Sequence, residues 1–108
     1  MLWWGEPNTI YVLRDDGRYG SFYDTWEEGM ANTPCDAKQP TGLWLPIRGF
    51  GKVWCEEAAI QDALGYALHP EEGGAALMQR YDAGMLVSRP DGGYWALLAG
   101  DRWSIVSP

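Results

Sequence analysis

Hydrophobic and polar positions follow two different spacings along this chain, and each spacing predicts a different kind of element. Near both ends, apolar or aromatic residues alternate with polar ones between clusters of Pro, Gly and Asp. That pattern is typical of short antiparallel strands joined by tight turns. After an initial strand containing Trp3 and Trp4, it predicts strands near residues 9–14, 18–23, 77–81, 85–88, 93–98 and 102–106.

The middle of the chain has helical spacing instead. Apolar residues between positions 47 and 65 fall close to one helical face, and Gly65 follows as a C-terminal stop. Two short helices, or one helix broken near Glu57, fit this segment. The predicted structural core consists of Phe50, Val53, Trp54, Ile60, Leu64 and Tyr66.

The two ends of the chain resemble each other. Displaced by 84 positions, MLWWGEPNTIYVLRDDGRY (1–19) falls on MLVSRPDGGYWALLAGDRW (85–103) without a gap. Similarity at a fixed offset usually marks a repeated supersecondary unit, and each copy here predicts a β-meander. Because isolated hairpins are marginal in water, the meanders must either share one sheet, form two sheets around the central helix, or pair with another chain.

The predicted fold class is therefore α+β, with antiparallel β-meanders at both termini packed around one or two short central helices. A length of 108 residues predicts a single domain. Within residues 1–108 we expect a first meander (1–23), an irregular connection (24–46), a helical segment (47–65) and a second meander (77–108).

Tryptophan and tyrosine dominate the aromatic residues, with seven Trp and six Tyr against two Phe. Both side chains combine an apolar ring with a polar group, which suits positions that are buried on one side and exposed to water on the other. Exposed rings of this kind bind sugar faces or partner grooves, although packing in the core or between the two copies is an alternative. The candidate ligand-binding residues are Trp3, Trp4, Trp44, Trp95 and Trp103.

The stretch RGFGKVW (48–54) is similar to the RNA-stacking strand of RNA-recognition domains. However, Lys52 stands where a stacking aromatic is needed, and the chain carries a net charge of −7. Because phosphate binding draws its affinity from Lys and Arg, we expect no nucleic-acid partner. The stretch is interpreted as structural.

Cys35 and Cys55 permit one disulfide or none, and the sequence leaves the choice open. No Cys or His spacing typical of zinc sites occurs, so we predict no metal and no cofactor. No apolar run is long enough for membrane insertion, and the N-terminal stretch lacks the pattern of a signal peptide.

Catalytic residues are not indicated. His69 and a cysteine thiolate would suit a hydrolytic dyad, but His69 precedes Pro70 in a polar turn, which favours a solvated loop. Glu71 and Glu72 are adjacent, and nothing pairs them with other carboxylates. A noncatalytic protein is the favoured hypothesis, and a small hydrolase is the least favoured.

One family resemblance covers about half of the chain. The succession Trp54, Leu64-Gly65-Tyr66-Ala67, Glu71, Gln79-x-Tyr81-x-x-Gly84-Met85 and a strand ending at Leu97 resembles the LGFP repeat. Ala67 departs from it, since the family has Pro at that position.

LGFP-like repeats occur in secreted, envelope-associated bacterial proteins and are thought to attach them to the cell wall. The resemblance implies a noncatalytic binding or attachment module, extracellular or in the cell envelope, with a cell-wall polysaccharide or protein partner. The internal repeat suggests an alternative, a self-assembling subunit that forms a homo-oligomer, array or filament through its terminal meanders.

Overall fold

The computed structural model describes residues 1–107. Within this range, seven strands and two helices follow one another along the chain. They are β1 (Leu2–Gly5), β2 (Asn8–Leu13), β3 (Tyr19–Tyr23), α1 (Arg48–Glu56), α2 (Ala58–Leu64), β4 (Met78–Tyr81), β5 (Gly84–Ser88), β6 (Tyr94–Leu98) and β7 (Arg102–Val106). The strands form two antiparallel sheets, β1-β2-β3 and β4-β5-β6-β7, which confirms the α+β class.

The structure divides into two compact units, and the prediction of a single domain from the chain length stays a prediction. Unit 1 contains Met1–Val12 and Ser21–Glu72, and unit 2 contains Leu13–Gly20 and the chain from Gly73 onward. The physical reason is that burial is divided. One group of buried side chains gathers around the helices of unit 1, and another lies on the strands of unit 2.

The core of unit 1 joins the first sheet to the helices. Ile10 and Val12 of β2 are almost fully buried and pack with residues of α1 and α2. All six predicted core residues belong to this cluster. Val53, Trp54 and Ile60 are buried, and Phe50, Leu64 and Tyr66 pack against them at the margin.

The helical segment breaks at the expected residue. Glu57 is extended, with φ −116° and ψ 92°, and separates the two helices. Gly65 ends α2 with a left-handed φ of 65°, a conformation that glycine adopts at little cost. Neither helix within residues 1–107 has the length and apolar character needed to cross a membrane.

The connection between β3 and α1 contains no helix or strand. It is held instead by single contacts within unit 1. Cys35 forms a disulfide with Cys55 of α1, with a Cα–Cα distance of 5.4 Å. Trp44 pairs with Ala67 through two backbone hydrogen bonds of 2.9 Å. A covalent bond and one backbone bridge thus anchor a segment that has no regular secondary structure.

The 84-residue offset corresponds to a real equivalence of elements. Both β1-β2-β3 and β5-β6-β7 are three-stranded antiparallel meanders. Their second turns close at equivalent positions: the Arg14 N–H donates to the Arg18 carbonyl, and Leu98 pairs with Arg102. Their first turns differ, because Glu6 and Pro7 separate β1 from β2 whereas residues 89–93 separate β5 from β6.

Equivalent residues of the two copies pair with each other inside unit 2. The Tyr19 N–H donates to the Asp101 carbonyl at 2.8 Å, and the Trp103 N–H donates to the Gly17 carbonyl at 2.9 Å. The two hydrogen bonds are equivalent, because Tyr19 corresponds to Trp103 and Gly17 to Asp101 at the offset of 84. The bridge is therefore locally two-fold symmetric around Arg18 and Arg102.

Candidate functional site

One face of the four-stranded sheet of unit 2, here called the outer face, presents a group of exposed apolar side chains. Paired residues of antiparallel strands point to the same side of the sheet, so the register defines this face. It consists of Leu77, Gln79, Tyr81, Gly84, Leu86, Ser88, Tyr94, Ala96, Leu98, Arg102, Ser104 and Val106.

The outer face carries an exposed aromatic ring in each of two opposite end rows. Tyr81 on β4 and Tyr94 on β6 are both exposed. On the diagonal between them the register places Leu86, which is half-buried, with Gly84 and buried Ala96 on either side. Exposed aliphatic side chains, Leu98 and Val106 among them, complete the apolar surface. Contiguous exposed apolar surface of this kind is typical of interaction sites.

The charge of the outer face differs from that of the whole chain. The chain has 15 acidic residues, yet no Asp or Glu belongs to this face, whose single charged residue is Arg102. Hydrogen-bonding groups are supplied by Gln79, Ser88 and Ser104. The surface therefore suits a neutral or anionic partner that combines apolar patches with hydroxyl or carbonyl groups.

Two of the predicted binding residues lie on the opposite, inner face of this sheet. Trp95 and Trp103 are half-buried there, on the same side as buried Leu97. The Trp103 indole N–H donates to the Arg14 carbonyl at 2.7 Å. The Arg89 guanidinium carbon is 5.9 Å from the centroid of the Trp95 ring, a cation–π distance. Both rings thus have contacts within unit 2.

The other three predicted binding residues belong to unit 1. Trp3 and Trp4 point to opposite sides of β1, and Trp3 is exposed while Trp4 is half-buried. The Trp3 indole N–H donates to Asn8 Oδ1 at 2.6 Å, and its ring lies over Gly5. Trp44 is exposed beside its backbone bridge to Ala67. The five predicted binding residues are thus divided between the two units, two in unit 2 and three in unit 1.

A shallow groove of about 270 Å³ lies in unit 1 between the end of β3 and α1. Lys52 forms one wall: its ammonium donates to Thr25 Oγ1 at 2.7 Å and pairs with Glu56 Oε1. Glu57 and Tyr23 also line the groove, and the Tyr23 side chain is well exposed. An aromatic ring beside paired polar groups can hold a small polar ligand.

The residues that carry the LGFP resemblance have structural contacts. The Trp54 indole N–H donates to the Gly65 carbonyl at 2.8 Å, and its ring centroid is 5.6 Å from that of Tyr66. Glu71 Oε1 accepts a hydrogen bond from the Arg48 guanidinium at 2.8 Å. These contacts fasten the segment after α2 to α1.

The dyad of His69 with a cysteine thiolate is not formed in this structure. Both cysteines are in the disulfide, so no thiolate is present to pair with His69. His69 is exposed, and its Nδ1 is 3.5 Å from Glu72 Oε1. Among residues 1–107, no three or more His, Cys, Asp or Glu side chains are grouped so that they could hold a metal ion.

The sequence did not identify the outer face or the groove. The outer face alternates along single strands, as in Tyr94-Ala96-Leu98, but the four strands must be aligned before that alternation becomes one surface. The groove joins residues of β3 and α1 that are remote in sequence. Neither has a local motif.

Neither the family models, nor the curated proteins, nor the solved structures contain a match to this chain.

Proposed function

We propose that the chain is a noncatalytic binding module of an extracellular or cell-envelope protein, and that its outer face binds an envelope polysaccharide. The observation that carries the proposal is the outer face itself. It combines two exposed tyrosines with exposed aliphatic side chains, and it has no carboxylate in an otherwise acidic chain.

The chemistry of a polysaccharide matches that of the outer face. A sugar ring has an apolar C–H face, which packs on an aromatic ring, and hydroxyl groups around its rim that both donate and accept hydrogen bonds. Tyr81 and Tyr94 supply the rings, and Gln79, Ser88 and Ser104 can pair with hydroxyls.

The disulfide supports the proposed location. Disulfides persist in oxidising compartments such as the cell surface and are rare in the cytosol. The Cys35–Cys55 bond accounts for both cysteines of the chain. An extracellular or envelope role also agrees with the resemblance to the LGFP repeat.

A matched pair of variants tests the outer face. Leu98 is 44% exposed on the outer face, and Ile105 is 51% exposed on the inner face of the neighbouring strand. We expect Leu98→Asp to weaken binding of soluble cell-wall polysaccharide at least about tenfold, because it places a carboxylate among the apolar contacts. Ile105→Asp introduces the same charge on the other side and should retain binding within about twofold.

The measurement is isothermal titration calorimetry with the folded variants, checked by circular dichroism. Equal loss in both variants, or no binding of any wall polysaccharide by the unsubstituted protein, would contradict the proposal. Tyr81→Leu separates a polysaccharide from a protein partner. The substitution keeps an apolar side chain but removes the stacking ring, so polysaccharide binding falls while apolar protein docking persists.

Self-assembly is a second candidate function, favoured by the symmetric bridge of residues 17–19 and 101–103. Because the two segments pair through equivalent hydrogen bonds, residues 13–20 of one chain could pair with β7 of another by exchange. Light scattering after size-exclusion chromatography distinguishes this function. Mass that rises with protein concentration supports it, and a monomer at every concentration opposes it.

A further inference from the structure

We propose that the groove of unit 1 is a separate binding site for one neutral pyranose ring with adjacent hydroxyls. This site goes beyond the outer face of unit 2 and does not rest on it. Its geometry is carried by Lys52, Glu56 and Tyr23, which line the same groove.

Lys52 and Glu56 offer one donor and one acceptor next to each other. An ammonium has three N–H donors, and two of those of Lys52 point to Thr25 Oγ1 and Glu56 Oε1. We assign the third to a ligand oxygen. Glu56 is half exposed and keeps its second carboxylate oxygen as an acceptor. Two neighbouring hydroxyls of a sugar can accept from the first group and donate to the second.

Lys52 is fixed rather than free to turn into solvent. Lys–Glu pairs four residues apart on a helix often do no more than support the helix. Here the ammonium also bonds Thr25, which follows β3, so the side chain is drawn across the groove and is 25% exposed. A preoriented donor costs less conformational entropy on binding than a mobile surface lysine.

Tyr23 supplies the flat surface for the sugar ring. Its side chain lines the groove and is 73% exposed, so one ring face is open to a ligand. The volume of about 270 Å³ lies just below the range of roughly 300–1,000 Å³ that drug-sized ligands occupy. A single ring is therefore the expected occupant.

The charges of the groove select against acidic sugars. Glu56 and Glu57 outnumber Lys52, so the lining has a net negative charge. A sugar carboxylate or phosphate would be repelled, whereas a neutral ring would not. This preference is opposite to that of the outer face, whose single charged residue is Arg102.

The test uses methyl β-D-glucopyranoside as the neutral probe, methyl β-D-glucuronide as the acidic one and cyclohexanol as a ring without adjacent hydroxyls. Titrations are followed by amide shifts in two-dimensional NMR. We expect saturable shifts at Tyr23, Lys52 and Glu56 with the neutral glycoside, at least about tenfold weaker binding of the glucuronide, and none with cyclohexanol.

Two variants test the assigned roles. Lys52→Met keeps the apolar stem and removes the donor, and Glu56→Gln keeps the shape and removes the charge; each should weaken glycoside binding at least about fivefold. Lys38→Met changes an exposed lysine in the connection and should have no effect. Leu98→Asp, which disables the outer face, should leave binding in the groove unchanged.

The outcomes separate the two proposed sites. Glycoside shifts that persist in Leu98→Asp and weaken in Glu56→Gln support the groove, whatever happens at the outer face. No saturable shift up to about 50 mM, or equal binding by the Lys52→Met, Glu56→Gln and Lys38→Met variants, overturns the assignment.

Discussion

Gly51 lies in α1 at a place where no side chain fits. A Cβ atom there would be 2.7 Å from the Pro46 carbonyl oxygen and closer still to the Asn32 carbonyl oxygen. At Gly49, a Cβ would meet the carboxylate of Asp24 at 2.6 Å. The two glycines of RGFGKVW are therefore explained by backbone and carboxylate oxygens that pass close to the helix.

We predict that Gly51→Ala destabilises the protein by about 1–3 kcal/mol, as overpacking generally does. The sign of the stability change is informative, because alanine in a helix interior is favoured over glycine by about 1 kcal/mol. A net loss of stability requires that the steric cost exceeds this gain. Urea unfolding followed by circular dichroism measures the difference.

The matched control is Gly73→Ala, since nothing lies within 4 Å of a Cβ at that position. Its stability should stay within about 0.5 kcal/mol of the parent protein. If Gly51→Ala were as stable as Gly73→Ala, the close approach of the carbonyl oxygens to α1 would be refuted.

Trp54 links α1 to the segment that follows α2. We predict that Trp54→Phe lowers stability by about 1–3 kcal/mol, because the Gly65 carbonyl loses its indole donor and the smaller ring leaves a void. Thermal unfolding measures the loss. The matched control is Trp3→Phe, which removes an exposed hydrogen bond to Asn8 and should cost less than about 0.5 kcal/mol. Equal costs would show that the Trp54 contact contributes no more than an exposed one.

At the scale of elements, the helices were predictable because their information is local. Apolar spacing and Gly65 sufficed to bound residues 47–65, and the break at Glu57 followed from the same pattern. The strands were predictable for the same reason, since turn residues separate short alternating segments. Each element needs only its own residues to be identified.

The faces of the strands were not predictable, because a face depends on register. Residues 89–93 form a longer turn than Glu6 and Pro7. The register between the first two strands therefore differs between the two copies. Ile10 and Tyr94 correspond at the offset of 84, yet Ile10 is buried and Tyr94 is exposed. For the same reason, candidate rings on β6 and β7 proved to lie on the inner face of the sheet.

At the scale of the molecule, the division into two units depends on contacts between distant residues. Residues 13–20 belong to unit 2 although the strands on either side of them continue into unit 1. Hydrogen bonds from Tyr19 to Asp101 and from Trp103 to Gly17 hold this segment. No local sequence pattern predicts these hydrogen bonds. The repeat revealed which segments are equivalent but not that equivalent segments would pair.

The disulfide is the contact with the largest expected effect on stability. Cys35 and Cys55 are 20 positions apart, and closing a loop of this length stabilises a protein by about 3 kcal/mol through the entropy of the unfolded chain. The connection between β3 and α1 has no helix or strand of its own, so it depends on this bond together with the Trp44–Ala67 bridge. We predict that dithiothreitol lowers the unfolding free energy by about 3 kcal/mol.

Guanidinium unfolding with and without dithiothreitol measures this effect, and a Cys35→Ser, Cys55→Ser double variant is its control. The variant should match the reduced protein and show no response to dithiothreitol, since it has no bond to reduce. Hydrogen exchange adds spatial resolution: protection should fall in the connection and α1, because the bond joins these two segments of unit 1. An unchanged midpoint on reduction, with the bond shown by mass spectrometry to be broken, would mean that noncovalent contacts alone hold the connection to the helix.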